Sequence, residues 1–228
     1  MSMKLENVVP FGRSLDEYKK MFSLDEVDLG KKMVGVADGP ASFNAELTAK
    51  GGQVTSVDPV YAFSAADIEA KFNEALDNII GQIEATPENW VWSYHKSPQD
   101  LRNNRVEATR LFIADFANHN GSRYVQGELP QLPIADGEFD LALCSHFLFL
   151  YSEHFDLEFH RKALQELLRI APEVRVFPLK ALNLQDSVYL EPLLSELRTQ
   201  GYNAEVVSVE YEFQKGGNQM LRVRSNLL

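Results

Sequence analysis

Hydrophobic and polar positions follow two different periods along this chain. Short apolar runs bounded by Gly, Pro or charged residues predict buried strands at 32–37, 53–60, 122–129, 139–150 and 173–179. Apolar residues at helical spacing predict helices at 14–26, 43–50, 152–171 and 186–201. Residues 204–226 alternate around Lys215-Gly216-Gly217, which is typical of a hairpin. Strands that alternate with helices predict an α/β fold with a mainly parallel sheet, to which the hairpin adds one antiparallel strand.

Residues 61–120 depart from this alternation. They separate two strands that one helix could connect, yet they contain two helical patterns, at 64–85 and 97–117. We interpret 61–120 as a helical insertion on the sheet and a candidate lid. The whole chain, 1–228, is then expected to form a single domain that begins with an N-terminal helical segment at 1–29.

Two serines precede predicted helices. Ser14 is followed by Glu17 three positions later, which is the signature of a capping box. Ser42 stands before the helix that starts at Phe43 and is expected to be its N-cap.

Composition and charge narrow the expected partners. The net charge of −11 disfavours non-specific binding to nucleic acid or anionic membranes, because these surfaces are themselves negative. No apolar run reaches the roughly 18 residues of a membrane span, and the first residues show no secretory signal. The single cysteine, Cys144, cannot form an intrachain disulfide, which favours a cytoplasmic location. Small molecules and proteins are the expected partners, and the oligomeric state stays open.

The segment "GVADGPASF" is the first candidate for chemistry. Ligands of open α/β sheets bind beyond the carboxyl ends of the strands, and this segment follows the first strand. Asp58 ends the second strand about 20 residues after Gly39, a spacing at which a carboxylate can accept the hydroxyls of a ribose. Alternatively, Asp58 only caps a turn before Pro59.

Four segments taken together carry a family resemblance. "VGVADGPASF", "VTSVDPVY", "YVQGELPQLPIADGEFDLALCSHFLF" and "RKALQELLRIAPEVRVFPL" have the order and spacing found in class I S-adenosylmethionine-dependent methyltransferases. From about residue 30 onward the chain resembles that family, including the terminal hairpin. The resemblance implies a seven-stranded Rossmann-like sheet, S-adenosylmethionine as cofactor and methyl transfer as activity.

The resemblance also implies roles for individual residues. The loop 35–41 would pass the methionine part of the cofactor, and Asp58 would bind the ribose with Pro59 against the adenine. Glu128 would lie near the adenine amino group, and the backbone of Leu129 at the ring edge. The full set implied for cofactor binding is Gly35, Ala37, Asp38, Gly39, Asp58, Pro59, Glu128, Leu129 and Ser145.

His146 is the candidate catalytic residue. It follows Ser145 just after the fourth strand, where the family places groups close to the transferred methyl. An unperturbed imidazole titrates near pH 6.5, so it can serve as a general base. The alternative is a histidine that only forms a hydrogen bond at a strand end. Tyr18 is a further candidate, which would close over the cofactor's carboxylate.

The glycine loop departs from the family pattern. The family has an acid where this chain has Gly35, and glycines where it has Ala37 and Ala41. Asp38 tolerates a left-handed backbone, and its charge could face the cofactor's ammonium or sulfonium. The alternative is a solvated turn that has lost its ligand.

Two patterns in the insertion have both a functional and a structural interpretation. "NWVWSY" at 89–94 could form an aromatic substrate wall or pack in the core. Arg102, Arg105 and Arg110 could bind an anionic substrate or form surface ion pairs.

We therefore expect methyl transfer from S-adenosylmethionine to a small molecule or a protein. The alternative is a protein that binds S-adenosylmethionine for regulation without transferring a methyl group. A nicotinamide-dependent dehydrogenase is disfavoured, because the loop lacks the Gly-x-Gly-x-x-Gly that holds a pyrophosphate. No metal site is expected, since the spacing of His154 and His160 does not place both on one helical face.

Overall fold

The computed structural model describes residues 9–225. Seven strands form one sheet in the order β3-β2-β1-β4-β5-β7-β6. The strands are β1 (Lys32–Val36), β2 (Gln53–Val57), β3 (Tyr124–Val125), β4 (Leu141–Ser145), β5 (Glu173–Phe177), β6 (Asn203–Ser208) and β7 (Gln219–Arg224). β7 is antiparallel to both β5 and β6, and the other neighbouring pairs are parallel. The prediction of a mainly parallel sheet with one antiparallel strand is confirmed.

Seven α-helices surround the sheet within the described part of the chain. They are α1 (Leu15–Met21), α2 (Glu26–Leu29), α3 (Phe43–Ala49), α4 (Ala65–Glu84), α5 (Pro98–His119), α6 (Leu157–Ile170) and α7 (Leu190–Thr199). None of the helices in 9–225 is long and apolar enough to cross a membrane.

Alternation along the central strands divides the core between two layers. One face of the sheet buries Val34, Ala142 and Val174 together with apolar residues of α6 and α7. The opposite face buries Met33 and Leu141 against α1 and α3. Burial on both faces explains why Met33–Val36 of β1 and Leu141–Cys144 of β4 contain no polar side chain.

Some predicted element bounds were too wide. The run predicted as a strand at 139–150 turns after Ser145, and the helix predicted from 152 begins at Leu157 because Asp156 caps it. Ser14 and Glu17 form the predicted capping box. Ser42 occupies the N-cap position of α3, as predicted. Its side chain does not cap the helix, because its hydroxyl donates to Glu46 Oε1 at 2.5 Å.

The insertion 61–120 contains the long helices α4 and α5, at the places where helical patterns were found. Its middle segment is joined to the connection between β6 and β7. Val91 N donates to Phe213 O and Lys215 N to Asn89 O, both at 2.9 Å. The insertion is therefore hydrogen-bonded to the far end of the chain.

Candidate active site at the carboxyl ends of the strands

Three adjoining cavities lie beyond the carboxyl ends of β1, β2 and β4. The glycine-loop cavity, of about 260 Å³, is lined mainly by Pro10, Arg13, Ala37, Asp38, Gly39, Asp58, Pro59, Ser145 and His146. The Phe147 cavity, of about 180 Å³, is lined by Val36, Ala37, Asp58, Pro59, Gly127, Glu128, Leu129, Phe147, Phe155 and Phe159. The aromatic cavity, of about 80 Å³, is lined mainly by Phe11, Arg13, Ile79, Ile83, Trp90, Arg105, His146, Leu150, Phe177, Leu182, Tyr211, Phe213 and Gln214. The glycine-loop cavity shares wall residues with each of the other two cavities.

The glycine loop turns sharply through two left-handed residues. Ala37 has φ 58° and Gly39 has φ 53°. The left-handed position therefore falls on Ala37, where the family has a glycine, and not on Asp38 as the sequence suggested. A left-handed backbone costs a non-glycine residue about 1–2 kcal/mol, so Ala37 stores strain beside both cavities that it lines.

Asp38 occupies the space above Gly35. A Cβ atom on Gly35 would lie 1.9 Å from Asp38 Oδ2, so the carboxylate fits only because residue 35 has no side chain. Tyr18 Oη donates to Asp38 Oδ1 at 2.6 Å, and Ser56 Oγ donates to Oδ2 at 2.7 Å. Burial raises the pKa of Asp38 from 3.8 to about 7, although both hydroxyls oppose this shift.

This arrangement changes two expectations about the loop. Gly35 lies beneath the Asp38 carboxylate and not on the wall of a cavity. Tyr18 is fully buried behind Asp38, so its hydroxyl holds that carboxylate instead of reaching into the cavity. The Asp38 carboxylate therefore occupies the space that a side chain at position 35 would fill.

Asp58 connects the loop to the second strand. Its Oδ2 accepts from Gly39 N and its Oδ1 from Val60 N, both at 2.8 Å. The side chain therefore caps the short helical turn that begins at Pro59, and it also faces two cavities. Burial raises the pKa of Asp58 from 3.8 to about 6. Each carboxylate oxygen has a second lone pair for a ligand hydroxyl.

The Phe147 cavity brings Glu128 and Leu129 next to Asp58 and Pro59. Glu128 is exposed at its rim, whereas Leu129 is buried. Three phenylalanines form the other side, and the rings of Phe155 and Phe159 stack at 4.2 Å. These aromatic residues were not predicted to line a cavity. Phe155 lies just before the cap of α6 and Phe159 in its first turn, and their spacing resembles that of any amphipathic helix.

His146 separates the glycine-loop cavity from the aromatic cavity and lines both. Its backbone is left-handed, with φ 51°, and its Nδ1 lies 3.0 Å from Ser145 Oγ. Burial holds the pKa of His146 well below 6.5, helped by the charges of Arg13 and Arg105. The imidazole is therefore neutral at pH 7, and one ring nitrogen can accept a hydrogen bond. Cys144 lies next to this pair in sequence but is fully buried, and burial raises its pKa to about 12.

The aromatic cavity is built by segments outside the sheet. α4 and the segment after it provide Ile79, Ile83 and Trp90, while Tyr211 and Phe213 come from the connection between β6 and β7. Trp90 is 7% exposed and its ring stacks on Phe213 at 4.9 Å. Trp90 therefore packs in the core, which is one of the two interpretations of the segment 89–94. It also lines a cavity, and its role as a wall for the substrate stays a prediction.

The N-terminal strap, residues 9–13, borders both the glycine-loop and the aromatic cavities. A Cβ on Gly12 would lie 2.1 Å from Pro40 O, so the strap can approach the glycine loop this closely only with glycine at 12. Ser42 N donates to Arg13 O at 3.1 Å, which fixes the end of the strap. No sequence pattern predicts this contact, because the strap belongs to no helix or strand.

One arginine of the insertion reaches a cavity. Arg105 is 1% exposed, and its two Nη atoms donate to Glu17 at 2.7 Å each. Arg102 pairs with Asp77 and Arg110 with Glu107 on the surface, as the structural interpretation of these residues expected. Burial alone would raise the pKa of Glu17, but Arg105 holds it well below its usual range.

Comparison with known proteins gives these cavities a chemical context. A methyltransferase-domain family model matches residues 99–173. The uncharacterised protein MJ0045 of Methanocaldococcus jannaschii is 34% identical over 223 residues, which cover 97% of this chain and 98% of the relative. The chain belongs to the class I S-adenosylmethionine-dependent methyltransferase family.

Solved structures of methyltransferases are similar at low identity. The magnesium protoporphyrin IX methyltransferase of Synechocystis with bound S-adenosylmethionine is 14% identical, with a TM-score of 0.47 over 88% of this chain and 73% of that one. A putative S-adenosylmethionine-dependent methyltransferase of Methanococcus maripaludis is 11% identical, with a TM-score of 0.48 over 94% of this chain and 85% of that one.

The activity of this methyltransferase is methyl transfer from S-adenosylmethionine to an acceptor that the comparisons leave unidentified. The residues at the cavities are compatible with that cofactor. Two adjoining cavities meet at Asp58, whose carboxylate can accept ribose hydroxyls, and phenylalanine rings are available for a flat base. Within residues 9–225 no group of three or more His, Cys, Asp or Glu side chains could hold a metal ion.

Proposed function

We propose that this methyltransferase acts on a small molecule held in the aromatic cavity, with S-adenosylmethionine across the glycine-loop and Phe147 cavities. The observation that carries the proposal is the position of His146, which lines the cavities on both sides. A methyl donor and its acceptor must meet at such a shared wall. Most side chains around the aromatic cavity are buried, which suits a small acceptor better than a protein surface.

Individual residues receive roles under this proposal. Asp58 would accept the ribose hydroxyls, with Pro59 and Leu129 against the base and Glu128 at its amino edge. Ala37, Asp38 and Gly39 would border the methionine part. Gly35 would act indirectly, by leaving room for the Asp38 carboxylate. When bound, S-adenosylmethionine supplies an electrophilic methyl group on a sulfonium.

His146 would receive a proton where the acceptor group must lose one. This role requires the tautomer with the proton on Nδ1. Its Nδ1–H would donate to Ser145 Oγ, 3.0 Å away, and Nε2 would be free to accept the proton. The insertion 61–120 would contribute the outer wall of the acceptor cavity and close over it, as the lid prediction supposes.

Calorimetric titration tests the cofactor assignment. We expect S-adenosylmethionine and S-adenosylhomocysteine to bind and NAD not to bind, and Asp58→Ala to weaken both by tenfold or more. Asp77→Ala is the matched control, because this aspartate is exposed on α4 and far in sequence from the loop. Undiminished affinity in Asp58→Ala would contradict the role of Asp58. Binding without turnover across a broad acceptor screen would favour the regulatory alternative.

A further inference from the structure

The aromatic cavity contains an unusual concentration of polar atoms without partners. Among residues 9–225, five buried side-chain nitrogen or oxygen atoms have no hydrogen-bond partner. Three of them, Arg13 Nε, Arg105 Nε and Gln214 Oε1, belong to residues that line this cavity. Buried polar groups in native proteins normally have partners, so unpaired ones in a cavity wall point to a ligand.

The charges around the cavity do not cancel. Arg105 is neutralised by its two-armed contact with Glu17, which also accepts from Tyr211 Oη at 2.9 Å. Arg13 forms no ion pair with any residue of the described range, and its Nη1 donates only to Phe11 O at 2.5 Å. His146 is neutral at pH 7, so among the described residues Arg13 is the one cationic side chain of this wall without an ionic partner.

The surroundings of Arg13 make this charge costly in the free protein. Burial and the neighbouring Arg105 lower the pKa of Arg13 to about 10. A buried cation is stabilised by a counter-ion. Among the described residues, neither Asp38 nor Asp58 of the glycine-loop cavity forms an ion pair with Arg13, and their carboxylates accept hydrogen bonds from neutral groups instead.

We propose that Arg13 binds the carboxylate of the methyl acceptor, a compact apolar acid. This assignment rests on the proposed function of the cavity. The cavity has a volume of only about 80 Å³, which favours a compact acceptor over a large one. The stacked Trp90 and Phe213 rings and the side chains of Ile79 and Ile83 supply the apolar walls.

The cofactor is a second source of a carboxylate for Arg13. Its methionine part carries one, and Arg13 lines the glycine-loop cavity as well. We assign Arg13 to the acceptor because the two other unpartnered atoms, Arg105 Nε and Gln214 Oε1, belong to residues that line the aromatic cavity and not the glycine-loop cavity. The experiment must separate the two sources.

The test begins with the protein saturated with S-adenosylhomocysteine, so that cofactor binding is established first. Benzoate and cyclohexanecarboxylate are then titrated calorimetrically, with benzamide as the neutral probe of equal size. We expect both acids to bind at least tenfold more tightly than benzamide. We expect Arg13→Gln to abolish this preference and Arg13→Lys to retain part of it. Arg102→Gln removes a charge that pairs with Asp77 on the surface, and it should change nothing.

A second arm compares S-adenosylhomocysteine with methylthioadenosine, which lacks the amino-acid carboxylate. The proposal requires Arg13→Gln to leave the affinity ratio of these two ligands unchanged. A tenfold loss for S-adenosylhomocysteine alone would assign Arg13 to the cofactor and overturn the acceptor assignment, while methyl transfer would stand. Failure of both acids to bind the loaded protein would also overturn it. Failure of S-adenosylhomocysteine to bind at the start would instead contradict the proposed function.

Discussion

The close contact between Gly35 and Asp38 gives the sharpest test of the glycine loop. In Gly35→Ala the new Cβ would lie 1.9 Å from Asp38 Oδ2 and 2.4 Å from Cγ, so the carboxylate must move. Moving it breaks the hydrogen bonds from Tyr18 and Ser56, which are 0% and 1% exposed. A hydrogen bond to a charged group contributes about 1.5–3 kcal/mol, so breaking two of them should lower the unfolding free energy by about 3–6 kcal/mol.

Urea unfolding followed by circular dichroism measures this loss, and calorimetry with S-adenosylhomocysteine measures its effect on the loop. Gly81→Ala on α4 is the matched control, because a Cβ there meets nothing within 4 Å. It should leave stability unchanged or raise it by up to about 1 kcal/mol.

The double variant Gly35→Asp with Asp38→Gly returns the acid to the position usual in the family. We expect it to recover most of the cofactor affinity that Asp38→Gly alone loses, because the carboxylate returns to nearly the same space. If Gly35→Ala costs less than about 1 kcal/mol, or costs the same with Asp38 already replaced by glycine, the two residues are not coupled and the explanation fails.

Three further predictions concern other parts of the site. Burial raises the pKa of Asp58 from 3.8 to about 6, so its protonation stabilises the ligand-free protein fully below pH 3.8, and this stabilisation is lost as the pH rises through 6. Asp58→Asn should therefore remove about 1 kcal/mol of the decline in urea stability between pH 5 and pH 8, and an unchanged decline would contradict the shift. Ala37→Gly should relieve the left-handed strain and raise the free energy of unfolding in urea by about 0 to 1 kcal/mol. Ala37→Val should lower the same free energy of unfolding. Glu17→Gln should destabilise by about 3–5 kcal/mol because it leaves Arg105 buried without a counter-ion, and a loss below 1 kcal/mol in thermal unfolding would refute this role.

The sheet could be predicted because its determinants are local. β1 and β4 are apolar on both faces, and each is bounded by residues that interrupt a strand. The helix α4 could be found for the same reason, since its apolar residues recur at helical spacing, whereas the apolar face of α5 is less regular. β3 has only two residues, Tyr124 and Val125, and so short a strand depends on pairing with β2 more than on its own pattern.

The cavities were harder to predict because they join distant segments. Gly39 and Asp58 could be connected by spacing, and the bond from Gly39 N to Asp58 Oδ2 brings them together. Arg13 and Gln214 could not be connected, since no periodicity relates an N-terminal strap to a hairpin connection. The left-handed turn fell on Ala37 and not on Asp38, because the Asp38 side chain is held by Tyr18 and Ser56.

The exchange between positions 35 and 38 affects how relatives of this protein should be recognised. An alignment made column by column records glycine at position 35, where the family has an acid. A comparison of side-chain positions in space would instead find the Asp38 carboxylate where a side chain at position 35 would begin. A search that requires glycine at the first position together with aspartate three residues later would therefore collect homologues that ordinary motif filters discard.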